Sequence, residues 1–347
     1  MCLSRILLGG GITMKKTLYI FTSGELKRKD NSLYFESETG RKYIPVEDTN
    51  DIYIFGEVDV TKRFLEFATT KEICIHYFNH YGYYTGTFYP REHYNAGHVI
   101  LKQAEHYIDK EKRLELARIF IAGSIAQMRQ VLKYYQTRAK NGKEEITALI
   151  EKFQDLTIQL NEGHTVEELM AIEGHVREGY YKMFDFIIND PDFRFEKRSK
   201  RPPLNRLNAM ISFGNSLCYT TVLSEIYKTY LDPRIGFLHA TNFRRFSLNL
   251  DVAEIFKPIM VDRLIFMLIN KKMIGKKDFD KHMNGILLTE SGRKKFVAEL
   301  DKRMRTTVNH RHLGKSVSYR RLIRLELYKI QKHLMGEKTY EPYRSMW

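Results

Sequence analysis

The chain has 347 residues, 43% of them apolar, with a net charge of +15 and a sequence pI near 9.5. That length points to two domains, and that apolar share supports a sizeable core and excludes wholesale disorder. The charge excess is unusual for an enzyme of small metabolites; it points to a polyanion, nucleic acid first and an anionic membrane surface second. Cys2, Cys74 and Cys218 form no CxxC pair and no even framework, which excludes a zinc ribbon or disulfide scaffold and fits the reducing cytoplasm. No apolar run has the length of a bilayer span.

Residues 1–13 (MCLSRILLGGGIT) lack the apolar core and cleavage site of a signal peptide and read as a disordered extension. From Met14 to residue 92 the pattern is short and β-like. The segments 18–21, 32–37, 42–46, 51–56, 72–78 and 83–89 are rich in β-branched and aromatic residues, with turn formers between them. This predicts a small β-sandwich-like domain or split barrel. One helix is expected within it over 59–71, with Thr61 as its N-cap. His76 and His80 fall in a strand-and-turn pattern, where their spacing does not favour a shared metal.

After Pro90 the period changes. Residues 93–347 read as a larger all-α-helical domain, giving an α+β chain overall. His93, His98 and His106 follow the junction and are expected at the surface. Thr165 opens one helix as TVEE, a capping box. The stretch 190–206 carries Pro191, Pro202 and Pro203, so it breaks the helical run. It also carries Arg194, Lys197, Arg198, Lys200, Arg201 and Arg206, a basic loop. Helix resumes over 207–231. The tail is basic again, with Arg320, Arg321 and Arg324 on an expected helix at 316–334. Two acid-poor basic segments favour a surface that tracks phosphates.

The most informative stretch is Leu231–Glu254, LDPRIGFLHATNFRRFSLNLDVAE. It combines His239, the pair Arg244 and Arg245, and the carboxylates Asp251 and Glu254. Imidazole with carboxylates suits a divalent metal, and the arginines suit an anionic substrate. Ser247 is a natural N-cap, and Asp251 and Glu254 lie three apart beside an apolar stripe. Each also has an ordinary structural reading: an acidic flank for the carboxylates, a hydrogen-bonded core residue for His239. Glu173 sits on a helix in apolar company, followed by Gly174, with Glu162, His164 and His175 as neighbours competing for any role. Spacing alone does not join Glu173 to His239 and Glu254. GxGxxG after a strand, GxxxxGK[ST], HExxH and GxSxG are all absent from the sequence.

The segments LDPRIGFLH and SLNLDVAE, with MAIEGxxxxxYY, LNAMISFGNSLCYTTVL and EICIHYFNHYGYYTGTFYP, resemble the CRISPR-associated adaptation integrases, which insert new spacers into the repeat array. The resemblance runs from Met14 onward; residues 1–13 have no counterpart in it. It implies a β-sandwich-like N-terminal domain making dimer and partner contacts, and a helical catalytic domain. It also implies a metal-dependent endonuclease and integrase acting on double-stranded and branched DNA. A homodimer assembled with a small ferredoxin-like partner into a heterohexamer-type complex is implied too. Carried over by position, it makes Glu173, His239 and Glu254 the ligands of Mg2+ or Mn2+, with Asp251 in support; the direct ligand is open between Asp251 and Glu254. Arg194, Lys197, Arg198, Lys200, Arg201, Arg244, Arg245, Arg320, Arg321 and Arg324 are the expected DNA contacts. The residues also leave open a non-catalytic DNA-binding scaffold and a general metal-dependent nuclease.

Overall fold

A computed structural model describes residues 15–91, 94, 96–139, 141–162, 165–241, 246–282, 285–310 and 313–346. The chain forms two compact units. One holds the described residues up to His80 together with Tyr84–Arg91; the other holds Tyr81–Tyr83 and the described residues beyond 91.

The first unit contains β1 (Lys16–Ile20), β2 (Gly24–Lys29), β3 (Ser32–Ser37), β4 (Gly40–Ile44), β5 (Thr49–Ile54), β6 (Val58–Val60), α1 (Lys62–Thr70), β7 (Cys74–Phe78) and β8 (Tyr84–Phe88). They make two four-stranded sheets, ordered β1-β5-β7-β8 and β4-β3-β2-β6. In the first, β5 lies parallel to both β1 and β7, and β8 runs antiparallel to β7. Ile20, Ile52 and Ile75 from one sheet, Leu26 and Leu33 from the other, and Phe64 and Ala68 from α1 share one core. Thr61 caps α1, its hydroxyl accepting from Phe64 N–H at 3.4 Å. The sequence reading missed β2 and β6. β2 is GELKRK, where only Leu26 is buried and its apolar alternation is invisible. Buried His76 bonds Thr87 Oγ1 through Nδ1 at 2.8 Å, a structural role.

The second unit contains α2 (Gly97–Ile108), α3 (Lys110–Gln136), α4 (Lys143–Gln159), α5 (Val166–Lys182), α6 (Phe184–Ile187), α7 (Arg206–Ile226), α8 (Leu248–Lys257), α9 (Arg263–Asn270), β9 (Phe279–His282), β10 (Gly285–Leu288), α10 (Glu290–Arg305), β11 (Thr307–His310), β12 (Lys315–Ser318) and α11 (Tyr319–Leu334). The capping box at Thr165 forms as expected: Thr165 Oγ1 accepts from Glu168 N–H, and Glu168 accepts from Thr165 N–H. α7 is apolar or small around most of its surface and is buried along most of its length. The hairpins β9–β10 and β11–β12 were not foreseen; their four-residue strands are too short to show a period of two, and β9, β11 and β12 are largely polar. His106, expected at the surface, is buried and bonds the Lys102 carbonyl at 2.8 Å.

Between α8 and α9 the chain widens into a π-turn, Pro258–Asp262, closed by Arg263 N–H donating to the Pro258 carbonyl. Pro258 has no N–H to give the carbonyl four residues back, so the α-ladder fails there. Beyond α11 the chain straps back over the helices. Buried Tyr340 donates its hydroxyl to Glu326 at 2.7 Å, and Gln127 of α3 donates to the Tyr343 carbonyl at 2.7 Å. Tyr343 stacks on Phe256 of α8 with centroids 6.5 Å apart. Pro342 presses so closely on Gly123 that a Cβ there would stand 2.8 Å from it. Among the described residues no helix is long and apolar enough to cross a membrane.

Candidate active site

The segment preceding α8 wraps around one carboxylate. Asp251, fully buried in the first turn of α8, accepts the backbone N–H groups of Phe237 (2.5 Å), Leu238 (3.1 Å) and His239 (2.9 Å). It also accepts the His239 Nδ1–H at 2.8 Å. These four donors match the lone-pair capacity of a carboxylate. Gly236 makes the wrapping possible: a Cβ there would lie 2.8 Å from Asp251 Oδ2 and 2.9 Å from Ser247 Cβ. Ser247 stands at the N-cap position as expected but does not cap. Its hydroxyl accepts from Gly236 N–H (2.8 Å) and donates to the Arg234 carbonyl (2.6 Å), tying the loop to the helix. With Nδ1 held by Asp251, His239 keeps Nε2 for another partner; its side chain keeps 17% of its exposure. Burial alone would lower its pKa, but the bond to Asp251 raises it above the ordinary value.

Glu254, one helical turn on, faces a different set of partners. It is buried, not on a half-exposed flank. Oε1 accepts from Lys257 of the same helix and Oε2 from Arg177 of α5. Burial would raise its pKa, but Lys257, Arg177 and His239 together hold it well below the usual carboxylate range. Arg177 also donates Nε to Glu173 Oε1 at 3.1 Å and Nη2 to Ser124 Oγ of α3 at 3.2 Å. Glu173 and Arg177 are four apart on α5, so both point toward α8. The side chains of Glu173 and His239 keep 18% and 17% exposure and that of Glu254 only 5%, which puts Glu254 at the floor and the other two toward the rim. The sequence reading missed Arg177, Lys257 and Ser124. The first two carried a signal: a cation four residues after Glu173 and another three after Glu254.

Whether a divalent cation suits these residues turns on their remaining acceptor capacity. Asp251 has none left. Glu254 gives one lone pair per oxygen to a cation and Glu173 gives one in all, so both keep acceptor positions, and His239 Nε2 is not used by Asp251. Two carboxylates and an imidazole backed by a carboxylate are donors that Mg2+ or Mn2+ accepts. Among the described residues no three His, Cys, Asp or Glu side chains stand close enough to enclose an ion as they are placed. The donor chemistry fits; a bound cation would compete with Lys257 and Arg177 for the Glu254 oxygens.

The model of the family described as CRISPR associated protein Cas1 matches residues 18–302. The chain belongs to the Cas1 family. It is 58% identical over 334 residues to a CRISPR-associated endonuclease Cas1 of Thermodesulfovibrio yellowstonii, covering 96% of this chain and all of that relative. It is 52% identical over 325 residues to the Cas1 endonuclease of Thermotoga maritima, covering 94% and 98% of the two chains. Among solved structures, a Cas1 protein from Thermotoga maritima superposes with a TM-score of 0.86 at 51% identity, over 94% of this chain and all of that one. A casposase bound to integration product shares the fold at 22% identity, with a TM-score of 0.83 over 94% of this chain and 92% of that one.

In this Cas1 chain the basic residues divide by their partners. Arg194, Lys197, Lys200 and Arg201 are exposed on the loop before α7. Partial desolvation and the cations Arg198 and Lys257 lower the Lys200 pKa while Glu173 and Glu254 raise it, which places this loop beside the acidic cluster. Arg198 is half-buried and spent on the fold, donating to Asn208 Oδ1 (2.9 Å) and Ser212 Oγ (3.1 Å). Arg320 and Arg324 turn inward to the fully buried Glu225, at 2.7 and 2.6 Å. Both were expected to meet DNA; in this structure each pairs with that one carboxylate. Arg321, on the outer face of α11, is exposed. Arg244 and Arg245 lie outside the described residues, as do residues 1–13.

Proposed function

We propose that this chain is a metal-dependent DNA endonuclease and integrase that inserts spacer DNA into a CRISPR array by phosphodiester hydrolysis or transesterification. The observation that carries the reading is the convergence of Glu173, His239 and Glu254, from separate segments, on one charged cluster beside an exposed basic loop. Family membership and the relatives named as endonucleases support it.

Glu173, His239 and Glu254 would hold Mg2+ or Mn2+. Such an ion, when bound, polarises the scissile phosphate and stabilises charge on the attacking or leaving oxygen. Asp251 fixes the His239 ring so that Nε2 faces the site. Arg177 and Lys257 set the charge of the floor, holding Glu254 ionised. Arg194, Lys197, Lys200, Arg201 and Arg321 follow the phosphate backbone without reading bases. The attacking group is a DNA 3′-hydroxyl in integration, or water in hydrolysis. Double-stranded and branched DNA, spacer and repeat, are the substrates. A homodimer joined to a small ferredoxin-like partner in a heterohexamer-type assembly, acting in the cytoplasm, completes the reading. Assembly with a partner, alone among these, draws support from fold likeness to a chain in a Cas6-RT-Cas1–Cas2 complex, 16% identical with a TM-score of 0.82 over 98% of this chain and 37% of that one.

The test is branched DNA with Mn2+, then with EDTA, followed by integration into a repeat-carrying plasmid. Metal-dependent nicking and repeat-directed insertion support the reading. Binding with no products in any metal would make the chain a scaffold, and nicking with no insertion a general nuclease.

A further inference from the structure

The inner wall of the site holds buried polar atoms without a well-formed hydrogen bond. Arg177 uses Nε and Nη2 on Glu173, Glu254 and Ser124, but its Nη1 makes no hydrogen bond among the described residues. Asp262 is fully buried at the end of the π-turn, and neither carboxylate oxygen has a hydrogen-bond partner among them. Tyr180, one turn on from Arg177 along α5, has a buried hydroxyl that lies close enough to the Asp262 carboxyl to act on it as a weak hydrogen-bond donor, short of good hydrogen-bond geometry.

An unpartnered buried donor or acceptor costs about 1–3 kcal/mol, more when charged, and native interiors hold few of them. Here the orphans are complementary. Burial pushes the Asp262 carboxyl up to about 7, and of the groups that oppose this Arg177 acts most strongly, ahead of Lys257. Asp262 and the guanidinium that locks Glu254 therefore attract one another, although the two form no ion pair as they are placed. The π-turn that delivers it is a distortion of a kind that recurs at functional sites. Arginine's planar fork can keep Nε on Glu173 while its Nη atoms change partners.

We propose that Arg177 is shared between Glu254 and Asp262, and that its turning to Asp262 frees Glu254 Oε2 for a divalent cation. Asp262 is then a positioning residue that sets metal affinity without touching metal or DNA. The idea rests on the metal reading given above. The two carboxylates compete for one guanidinium, and whichever gives Arg177 its better partner decides whether Glu254 is available.

The experiment is Mn2+ titration of the full chain by calorimetry, in wild type, Asp262→Asn, Arg177→Gln and the double variant, with circular dichroism to confirm folding. Asp262→Asn should weaken Mn2+ binding about tenfold, in the range found for groups that orient metal ligands. In the Arg177→Gln background the same change should shift affinity by less than about twofold, because the shared guanidinium is gone. A purely structural Asp262 would not give that dependence on Arg177. If wild type binds Mn2+ and folded Asp262→Asn binds it equally well, the sharing is refuted and the metal site stands. If wild type binds no Mn2+, the metal reading fails and the sharing with it.

Discussion

His239 is bound twice to the same atom: its backbone N–H reaches Asp251 Oδ1 at 2.9 Å and its ring Nδ1–H reaches it at 2.8 Å. One carboxylate oxygen thus fixes both the position of the residue and the rotation of its ring. Asp251→Asn replaces an acceptor-only group by one that must point N–H at donors. Metal affinity and nicking should fall about 10–100-fold, measured by Mn2+ titration and a supercoiled-plasmid assay. Unchanged activity would show that ring orientation does not depend on Asp251.

Glu254→Gln and Glu173→Gln should both abolish strand transfer yet separate in stability. Neutralising Glu254 leaves Lys257 buried without a counter-charge and Arg177 with Glu173 alone, a loss on the order of 3 kcal/mol. Glu173 lies at the solvent edge, and its replacement should change stability by under about 1 kcal/mol. Urea melts of the two proteins check the difference.

The Asp262 carboxyl, pushed up to about 7 in the fold against an ordinary 3.8, makes stability depend on pH. Between these values the folded chain holds a proton that the unfolded chain has released, so stability falls as pH rises from about 4 to about 7 and then levels. The slope is on the order of 1 kcal/mol per pH unit. Asp262→Asn removes it. The variant should melt higher than wild type at pH 8 and close to it at pH 4, in thermal scans across that range.

The inward-facing arginines predict a division between affinity and stability. Replacing Arg194, Lys197 and Arg201 by Ala should weaken DNA binding and lower the log–log salt slope by up to about 3. Replacing Arg320 and Arg324 by Gln should leave that slope unchanged and destabilise the fold, because Glu225 is stranded. Filter binding at several salt concentrations, beside melts, distinguishes them.

Much of the site was legible where one short segment held it. His239, Asp251 and Glu254 fall within Leu231–Glu254, and the serine at the helix start marked where α8 begins. The burial of both acids was not legible: three-residue spacing reads equally as an exposed flank, and what buries them is the packing of α8 against α3 and α7, with Arg177 of α5 closing on Glu254. The locking cations escaped because Arg177 and Lys257 resemble ordinary helix-surface pairs until the helices pack. The pairing of Arg320 and Arg324 was hidden for the matching reason, since their counter-ion Glu225 lies about a hundred positions away. In the β-rich unit aromatic strands announced themselves, whereas the charged β2 contributes one apolar side chain and gave no pattern.

The strap over α3 gives the site an order of assembly. Gly123, pressed by Pro342, adjoins Ser124, which steadies Arg177, and Gln127 meets Tyr343 across 216 positions of chain. A chain emerging from the ribosome exposes α3 and α5 long before the strap that seats them. Closing so long a loop is entropically costly, so the acid array should be among the last features to lock. A half-made chain would then carry its DNA-binding charge before it can cut. Truncation after Met335 reproduces that intermediate: it should keep most helical ellipticity and lose nicking, and full nicking by the truncated chain would show that the site closes without the strap.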